Sequence, residues 1–174
     1  MEVRNKIWEE FKQAKANVVC IRRYTSLQRQ LNCIYNVFIA ATAAVGTVVS
    51  GFHVQASVYA LGAIAIVSLA KAIFPEIIQQ EKELCELDDI MDYYNSFMNK
   101  MEVFFYQLDK DQKTDDEVMQ ELFVLKEDEC KKQSQMNRLI RWIPKRMQKK
   151  VDAEVQTYIE EVHFNIYNQN EQQS

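Results

Sequence analysis

The stretch from residue 36 to residue 74 most constrains the fold, because its 39 residues contain one formally charged side chain, Lys71. Residues 31–49 carry no charge, and residues 54–74 carry only Lys71. At 1.5 Å of rise per residue, the first run spans about 28 Å, close to the thickness of about 30 Å of a hydrocarbon core. The stretch therefore predicts two transmembrane helices, and the alternative is a buried hairpin in a soluble protein.

The short link "SGFHV" between the two runs predicts a tight hairpin, so that both termini lie on one side of the membrane. Arg22, Arg23 and Arg29 precede the first run, Lys71 and Lys82 lie near the end of the second, and the link carries no basic residue. The positive-inside rule then places both termini in the cytoplasm. We expect the three arginines to contact anionic lipids of the bilayer.

The spacing of apolar residues predicts that helices flank the hairpin. In the N-terminal arm they recur at intervals of four and three: Ile7, Phe11, Ala14, Val18 and Ile21. No Gly or Pro interrupts this arm, so one helix is expected from Glu2 to Val49. The predicted domains are an amphipathic cytosolic helix (1–30), a two-transmembrane hairpin (31–75) and a cytosolic helical domain (76–174).

The C-terminal domain also has helical periodicity. Between Leu84 and Leu108 the apolar residues follow a heptad-like pattern, which is typical of a helical bundle. Thr114 and Glu117 have the spacing of a capping box, and a helix is expected from there toward Met136. A short helix should end near Trp142, and Pro144 fits the first turn of the last helix.

One face of the first predicted span carries small and polar residues. Steps of three and four place them on the same side of a helix: Asn36, Ala40, Ala43 and Thr47. Two interpretations remain open, because such a face suits either helix packing or the wall of a pore. One hairpin cannot enclose a pore, so the second interpretation requires a homo-oligomer, for which we expect a tetramer lined by these four residues.

The sequence contains no motif of a known catalytic or cofactor-binding class. In the predicted topology His53 and His163 lie on opposite sides of the bilayer, so they cannot share a metal. We therefore expect no catalytic residue, no cofactor and no metal site, and the chain is predicted not to be an enzyme.

The charges are segregated along the chain. Residues 76–129 contain 5 basic and 17 acidic residues, whereas no acid occurs between Lys131 and Lys150. The predicted ligand-binding residues of this basic segment are Arg138, Arg141, Trp142, Lys145, Arg146, Lys149 and Lys150. A basic surface with an aromatic side chain suits a nucleotide or oligonucleotide. Pairing with the acidic block and contact with lipid headgroups are the alternatives.

The order of an amphipathic start ("IWEEFKQAKANVVCIRRYTSLQRQLN"), a two-span hairpin and a helical tail resembles the SLATT family over residues 7–108. This family consists of two-transmembrane effectors found beside bacterial nucleotidyltransferases and nucleotide sensors. The resemblance implies a pore-forming effector of an antiphage or self-killing system in the bacterial inner membrane. It also implies gating by a nucleotide or oligonucleotide that a companion nucleotidyltransferase makes.

The sequence thus predicts an all-α membrane protein, in which the hairpin and the long cytosolic helices form an oligomeric helical bundle. Its predicted function is that of an ion channel that depolarises the membrane when a ligand binds the cytosolic helices. The alternative prediction is a membrane-anchored helical scaffold that recruits a cytosolic partner without conducting ions.

Overall fold

The computed structural model describes residues 2–49, Gly62, Ala65, Ile66, Leu69 and residues 79–171, with side chains in all of these except residues 42–49 and 162–171. Four helices are present in this part of the chain: α1 (Glu2–Val49), α2 (Glu81–Asp109), α3 (Asp115–Leu139) and α4 (Lys145–Glu171). The single long helix expected from Glu2 to Val49 is confirmed.

The chain divides into two compact units. Unit 1 comprises residues 1–24 and 85–174, and unit 2 comprises residues 25–84. The helices α1 and α2 therefore each contribute to both units. The division into three domains that was expected from the sequence stays a prediction.

Unit 1 is an up-and-down bundle of four helices. Arg4 near the start of α1 pairs with Asp109 at the end of α2 at 2.9 Å, so these two helices are antiparallel. The phenol hydroxyl of Tyr93 in α2 donates to the Leu125 carbonyl of α3 at 3.4 Å. The ring of Tyr158 in α4 stacks against Phe11 of α1, with 6.3 Å between centroids.

The core of unit 1 forms because each helix has one continuous apolar face. The predicted face of α1 is buried from Ile7 to Ile21, which confirms the spacing argument. In α2 the buried face is wider than the two apolar positions of a heptad repeat. It comprises Leu87, Ile90, Tyr94, Phe97, Met98, Met101, Phe104 and Leu108. A face of this width contacts more than one neighbouring helix, as the interior of a bundle requires.

A charged network lies at the junction of α1, α2 and α3. The side chain of Glu129 is only 3% exposed, and it accepts a hydrogen bond from the Tyr94 hydroxyl at 3.2 Å. Lys126 contacts Glu129 at 3.1 Å and Glu10 at 2.7 Å. Desolvation lowers the pKa of Lys126, but the hydrogen bonds with these two carboxylates and their negative charges together raise it by more. Each buried charge thus has an opposite charge beside it, as burial requires.

The ends of α3 and the start of α4 are fixed by local hydrogen bonds. Thr114 and Glu117 form the predicted capping box at the start of α3. The prediction of a separate short helix ending near Trp142 is wrong, because α3 continues to Leu139 and residues 140–144 are not helical. The carbonyl of Pro144 accepts from the backbone N–H groups of Met147 and Gln148, which begins α4.

In unit 2, residues 79–81 are tied to α1. Gln28 and Asn32 bond the backbone of Gln79, and Arg29 pairs with Glu81 at 3.2 Å. The polar side chain of Asn32, at the start of the first predicted span, therefore satisfies a backbone carbonyl 47 residues later in the chain. Arg29, for which lipid contact was expected, has a carboxylate partner within the unit.

The prediction of a two-transmembrane hairpin is wrong: in the described part of the chain, no helix has the length and apolar character needed to cross a bilayer. The predictions of an ion channel and of a two-span protein of the bacterial inner membrane with cytoplasmic termini depended on that hairpin, and they are therefore also wrong. In the first predicted span, the described side chains end at Ala41, about 15 Å along the helix from Leu31. They include Asn32 and Asn36, which are unfavourable in hydrocarbon. Most of the second span, residues 54–74, lies outside the described residues.

Replacing Leu87 by Ala should strongly destabilise the bundle. The side chain is fully buried in α2, and removing a buried leucine leaves a cavity that costs about 2–5 kcal/mol of unfolding free energy. Urea denaturation followed by circular dichroism measures this loss. The control is Val124→Ala, because Val124 is exposed on α3 and should change stability by less than about 0.5 kcal/mol. Equal losses in the two variants would contradict the position of the core.

Candidate functional site

The basic segment lies at the α3–α4 connection, and the name basic surface is used below for its seven predicted ligand-binding residues. All seven side chains are exposed: Arg138, Arg141, Trp142, Lys145, Arg146, Lys149 and Lys150. Arg138 lies in the last turn of α3, two residues lie in the connection, and four lie in the first two turns of α4. The residues that were singled out from the sequence thus extend from the last turn of α3 through the connection to the second turn of α4.

In the first two turns of α4, the buried residues and the basic residues lie on different faces of the helix. Met147 and Val151 are buried and lie one turn apart, so they fix the face of α4 that packs in the bundle. At 100° per residue, Lys145 and Lys149 lie on the opposite side of the helix. The packing of α4 thus requires its basic residues to point away from the core.

The start of α4 has an unusual charge pattern for a helix. Unpaired N–H groups give a helix N-terminus a partial positive charge, which acidic side chains usually compensate. The first turn of α4 contains no acidic residue and begins with Lys145 and Arg146. At the start of α3, by contrast, Asp115, Asp116 and Glu117 occupy the corresponding turn. The N-terminus of α4 therefore concentrates positive charge that an external anion could neutralise.

An ion-pair cluster farther along α4 holds this helix against α1. Glu154 accepts hydrogen bonds from both Arg22 and Arg23, with 2.6 Å to Nη2 of Arg23. Desolvation raises the pKa of Glu154, but the two guanidinium groups lower it by more, so that the net shift is downward. Arg22 and Arg23, which were expected at a lipid surface, therefore bind a carboxylate of the same unit.

Trp142 is the most exposed aromatic residue on this side of unit 1, with 69% of its surface accessible. It lies in the connection between Ile140, whose N–H is bonded to the Met136 carbonyl at 2.8 Å, and Pro144 at the start of α4. The connection is thus anchored at both ends, and the exposed Trp142 directly follows Arg141 and lies three residues before Lys145 in the chain. An exposed ring beside cations can stack with a base whose phosphate binds those cations.

The predicted pore-lining residues all belong to α1. Asn36 and Ala40 are exposed in unit 2, and the side chains of Ala43 and Thr47 lie outside the described residues. Their lining of a pore was inferred together with the membrane hairpin, and the correction of that hairpin removes the basis for it.

Metal coordination has no site in the part of the chain that the structure describes, and the Cys20 thiol is not activated. No three His, Cys, Asp or Glu side chains converge there as metal ligands would. The cysteines are free thiols, and burial raises the pKa of the Cys20 thiol. A raised thiol pKa lowers the fraction of reactive thiolate. The basic surface is therefore the strongest candidate site in these residues.

No family model matches the sequence, and neither the curated proteins nor the solved structures contain a match. The resemblance to the SLATT family is therefore untested and stays a prediction. The proposals below rest on the residues and contacts of this chain.

Replacing Lys145 by Glu should stabilise the protein in the absence of ligand. The change places an acid at the first residue of α4 and four residues before Lys149, which should raise the unfolding free energy by about 0.3–1 kcal/mol. Thermal and urea unfolding in low salt provide the measurement. Lys100→Glu, an exposed site in the interior of α2, carries the same charge change without the helix-terminus effect. A loss of stability in Lys145→Glu alone would show that the start of α4 is not electrostatically unfavourable.

Replacing Glu154 by Gln should reduce stability in a pH-dependent way. The folded protein holds the pKa of Glu154 below its usual 4.5, so its contribution is complete above about pH 4.5 and is lost as pH falls through the folded value. We expect the variant to be about 1 kcal/mol less stable at pH 7, with the difference shrinking below pH 4.5. The control is Glu161→Gln, an exposed residue of the same helix. A difference from wild type that stays constant down to pH 3 would contradict the ion-pair account.

Proposed function

We propose that this chain is a binding protein, and not an enzyme, whose basic surface takes up a short single-stranded oligonucleotide. The observation that carries the proposal is the start of α4, where Lys145 and Arg146 occupy the first turn, in which a helix favours acids. Lys149 and Lys150 add positive charge in the second turn. A phosphate chain supplies the missing negative charge. The unfavourable charge pattern of the free protein is then removed by binding.

Packing supports this assignment because it fixes the basic surface before any ligand arrives. Burial of Met147 and Val151 sets the rotation of α4, and the contacts of Glu154 with Arg22 and Arg23 hold it against α1. Less conformational entropy is lost on binding when the binding groups are already positioned. The exposed indole of Trp142 adds a stacking surface, for which alanine substitutions in other proteins give about 1–3 kcal/mol per base.

The alternative of pairing with the acidic block has less support. Acidic residues of α3 pair with lysines that lie outside the seven residues of the basic surface: Glu129 with Lys126, Glu121 with Lys113 and Asp128 with Lys131. The acidic side chain of Glu154 is paired with Arg22 and Arg23 of α1. Among the described residues, the ion pairs that hold the helices together thus do not involve Lys145, Arg146, Lys149 or Lys150.

An oligonucleotide-binding protein is a narrower function than that of the membrane effector predicted from the family resemblance. Oligonucleotide recognition and assembly into a homo-oligomer do not require membrane spans, and both stay open to experiment. Partner recruitment, the other predicted function, also survives without the anchor. Exposed apolar side chains such as Val103 and Val124 supply surface for it.

The full-length protein should bind a 5′-fluorescein-labelled octamer of uridine (U8) with strong salt dependence, measured by fluorescence anisotropy. Replacing Arg141, Lys145 and Arg146 together by Gln removes three phosphate contacts. The slope of log K against log salt should then fall by about 2, since each contact to a single strand contributes about 0.7.

The matched control replaces Lys82, Lys100 and Lys110 by Gln. These residues are also exposed, and their loss changes the net charge by the same amount, but they lie outside the basic surface. Their triple variant should bind U8 with the wild-type slope. Equal slopes in wild type and the Arg141/Lys145/Arg146 variant, or no binding of U8 by the wild type, would reject the proposed function and leave partner recruitment as the better account.

A further inference from the structure

A pocket between α2 and α3 lies beside the basic surface. Its volume is about 400 Å³, within the range of small-ligand sites. The α2 wall contributes Glu86, Asp89 and Ile90, and the α3 wall contributes Lys132, Gln135, Arg138 and Leu139. Arg138 belongs to both the pocket and the basic surface. The pocket therefore forms an extension of the proposed phosphate site.

The two carboxylates of the pocket are available to a ligand. Glu86 and Asp89 are exposed and one turn apart on α2, so they lie on the same face of the helix. Neither of them forms an ion pair or a hydrogen bond with another described residue, whereas Glu129 and Glu154 both have cationic partners. The acids that stabilise the bundle are thus distinct from the acids that line the pocket.

The remaining walls suit a flat, partly apolar molecule. Ile90 is buried and Leu139 is half-buried, and they provide an apolar surface between the polar groups. Lys132 and Gln135 can donate hydrogen bonds to carbonyl oxygens. Five of the seven lining residues are polar or charged and two are apolar, so the pocket suits a small heterocycle that offers several hydrogen-bonding groups along its edges.

The carboxylates determine which base fits. An ionised carboxylate is an acceptor only, so a base bound against Glu86 or Asp89 must present N–H donors. Guanine presents two adjacent donors, N1–H and the N2 amino group, which match the two oxygens of one carboxylate, and its O6 can accept from Lys132 or Gln135. Adenine and cytosine present one amino group beside an acceptor nitrogen. Uracil presents one N–H between two carbonyl oxygens, which the carboxylates repel.

We infer that the α2–α3 pocket binds a guanine base of the oligonucleotide, with Glu86 and Asp89 as acceptors for its N–H groups and Arg138 on the adjoining phosphate. This inference rests on the proposed function, because the phosphate chain on the basic surface brings the base to the pocket. Glu86 and Asp89 repel phosphate from the α2 wall, so the base lies against that wall and the backbone follows Arg138 and the basic surface.

The test compares U8 with three octamers in which the fourth uridine is replaced by guanosine, adenosine or cytidine, again by fluorescence anisotropy with the full-length protein. Wild type should bind the guanosine octamer about tenfold more tightly than U8, the discrimination typical of a bidentate contact to a base. The variant Glu86→Gln/Asp89→Asn should lose this preference and bind U8 at least as tightly as wild type. The control Glu102→Gln/Glu127→Gln removes two exposed charges outside the pocket and should keep the preference.

The outcomes separate this inference from the proposed function. Equal salt-sensitive binding of all four octamers by wild type would overturn the guanine pocket and leave the proposed function standing. A guanosine preference that survives in Glu86→Gln/Asp89→Asn would also overturn it, because other groups would then read the base. Failure of wild type to bind any octamer would reject both. Thermal unfolding confirms that each variant is folded.

Discussion

Burial of one face of α1 against the three other helices is the interaction on which unit 1 depends. Phe11 of α1 contacts Tyr158 of α4, Trp8 contacts Phe105 of α2, and Glu10 pairs with Lys126 of α3. Each of the three other helices is therefore positioned against this one. The apolar area removed from water provides the main stabilisation of such a bundle. Ion pairs between the helices help to fix the rotation of each helix about its own axis.

The packing of α4 in the bundle determines which of its residues are exposed at the candidate site. Once Met147, Val151 and Tyr158 turn inward, the basic residues of the first two turns of α4 must face outward. The chain thus places like charges around a helix N-terminus, where they repel the helix dipole and one another. A sequence optimised for stability alone would carry acids there, as the first turn of α3 does. This unfavourable charge is the feature that supports the proposed anion-binding surface.

Local signals in the sequence predicted much of unit 1. The spacing of Ile7 and Phe11 and the capping box at Thr114 act over a few residues, and both are found in the structure. The seven residues of the basic surface were identified because their charges are contiguous in the chain. Their exposure follows from the same helical periodicity that buries Met147.

What could not be predicted depends on contacts between distant segments. Glu129 belongs to the acidic block of residues 76–129, yet it is buried, and Tyr94 and Lys126 bind its carboxylate. Asn32 was assigned to a membrane span, whereas it donates to a carbonyl 47 residues away. The pocket was missed because Glu86 and Arg138 lie on different helices. The membrane prediction relied on a shortage of charge, which gives the length of an apolar run but not the partners of its polar residues.

The central claim is that the basic surface binds a phosphate chain with a base against Trp142. The two tryptophans allow a direct measurement, because Trp142 is exposed whereas Trp8 is stacked against Phe11 in the bundle. In a Trp8→Phe variant, U8 should quench the remaining indole emission, and raising the salt concentration should restore it. In a Trp142→Phe variant, U8 should leave the emission of Trp8 unchanged. Emission from Trp142 that does not respond to saturating U8 would contradict the account.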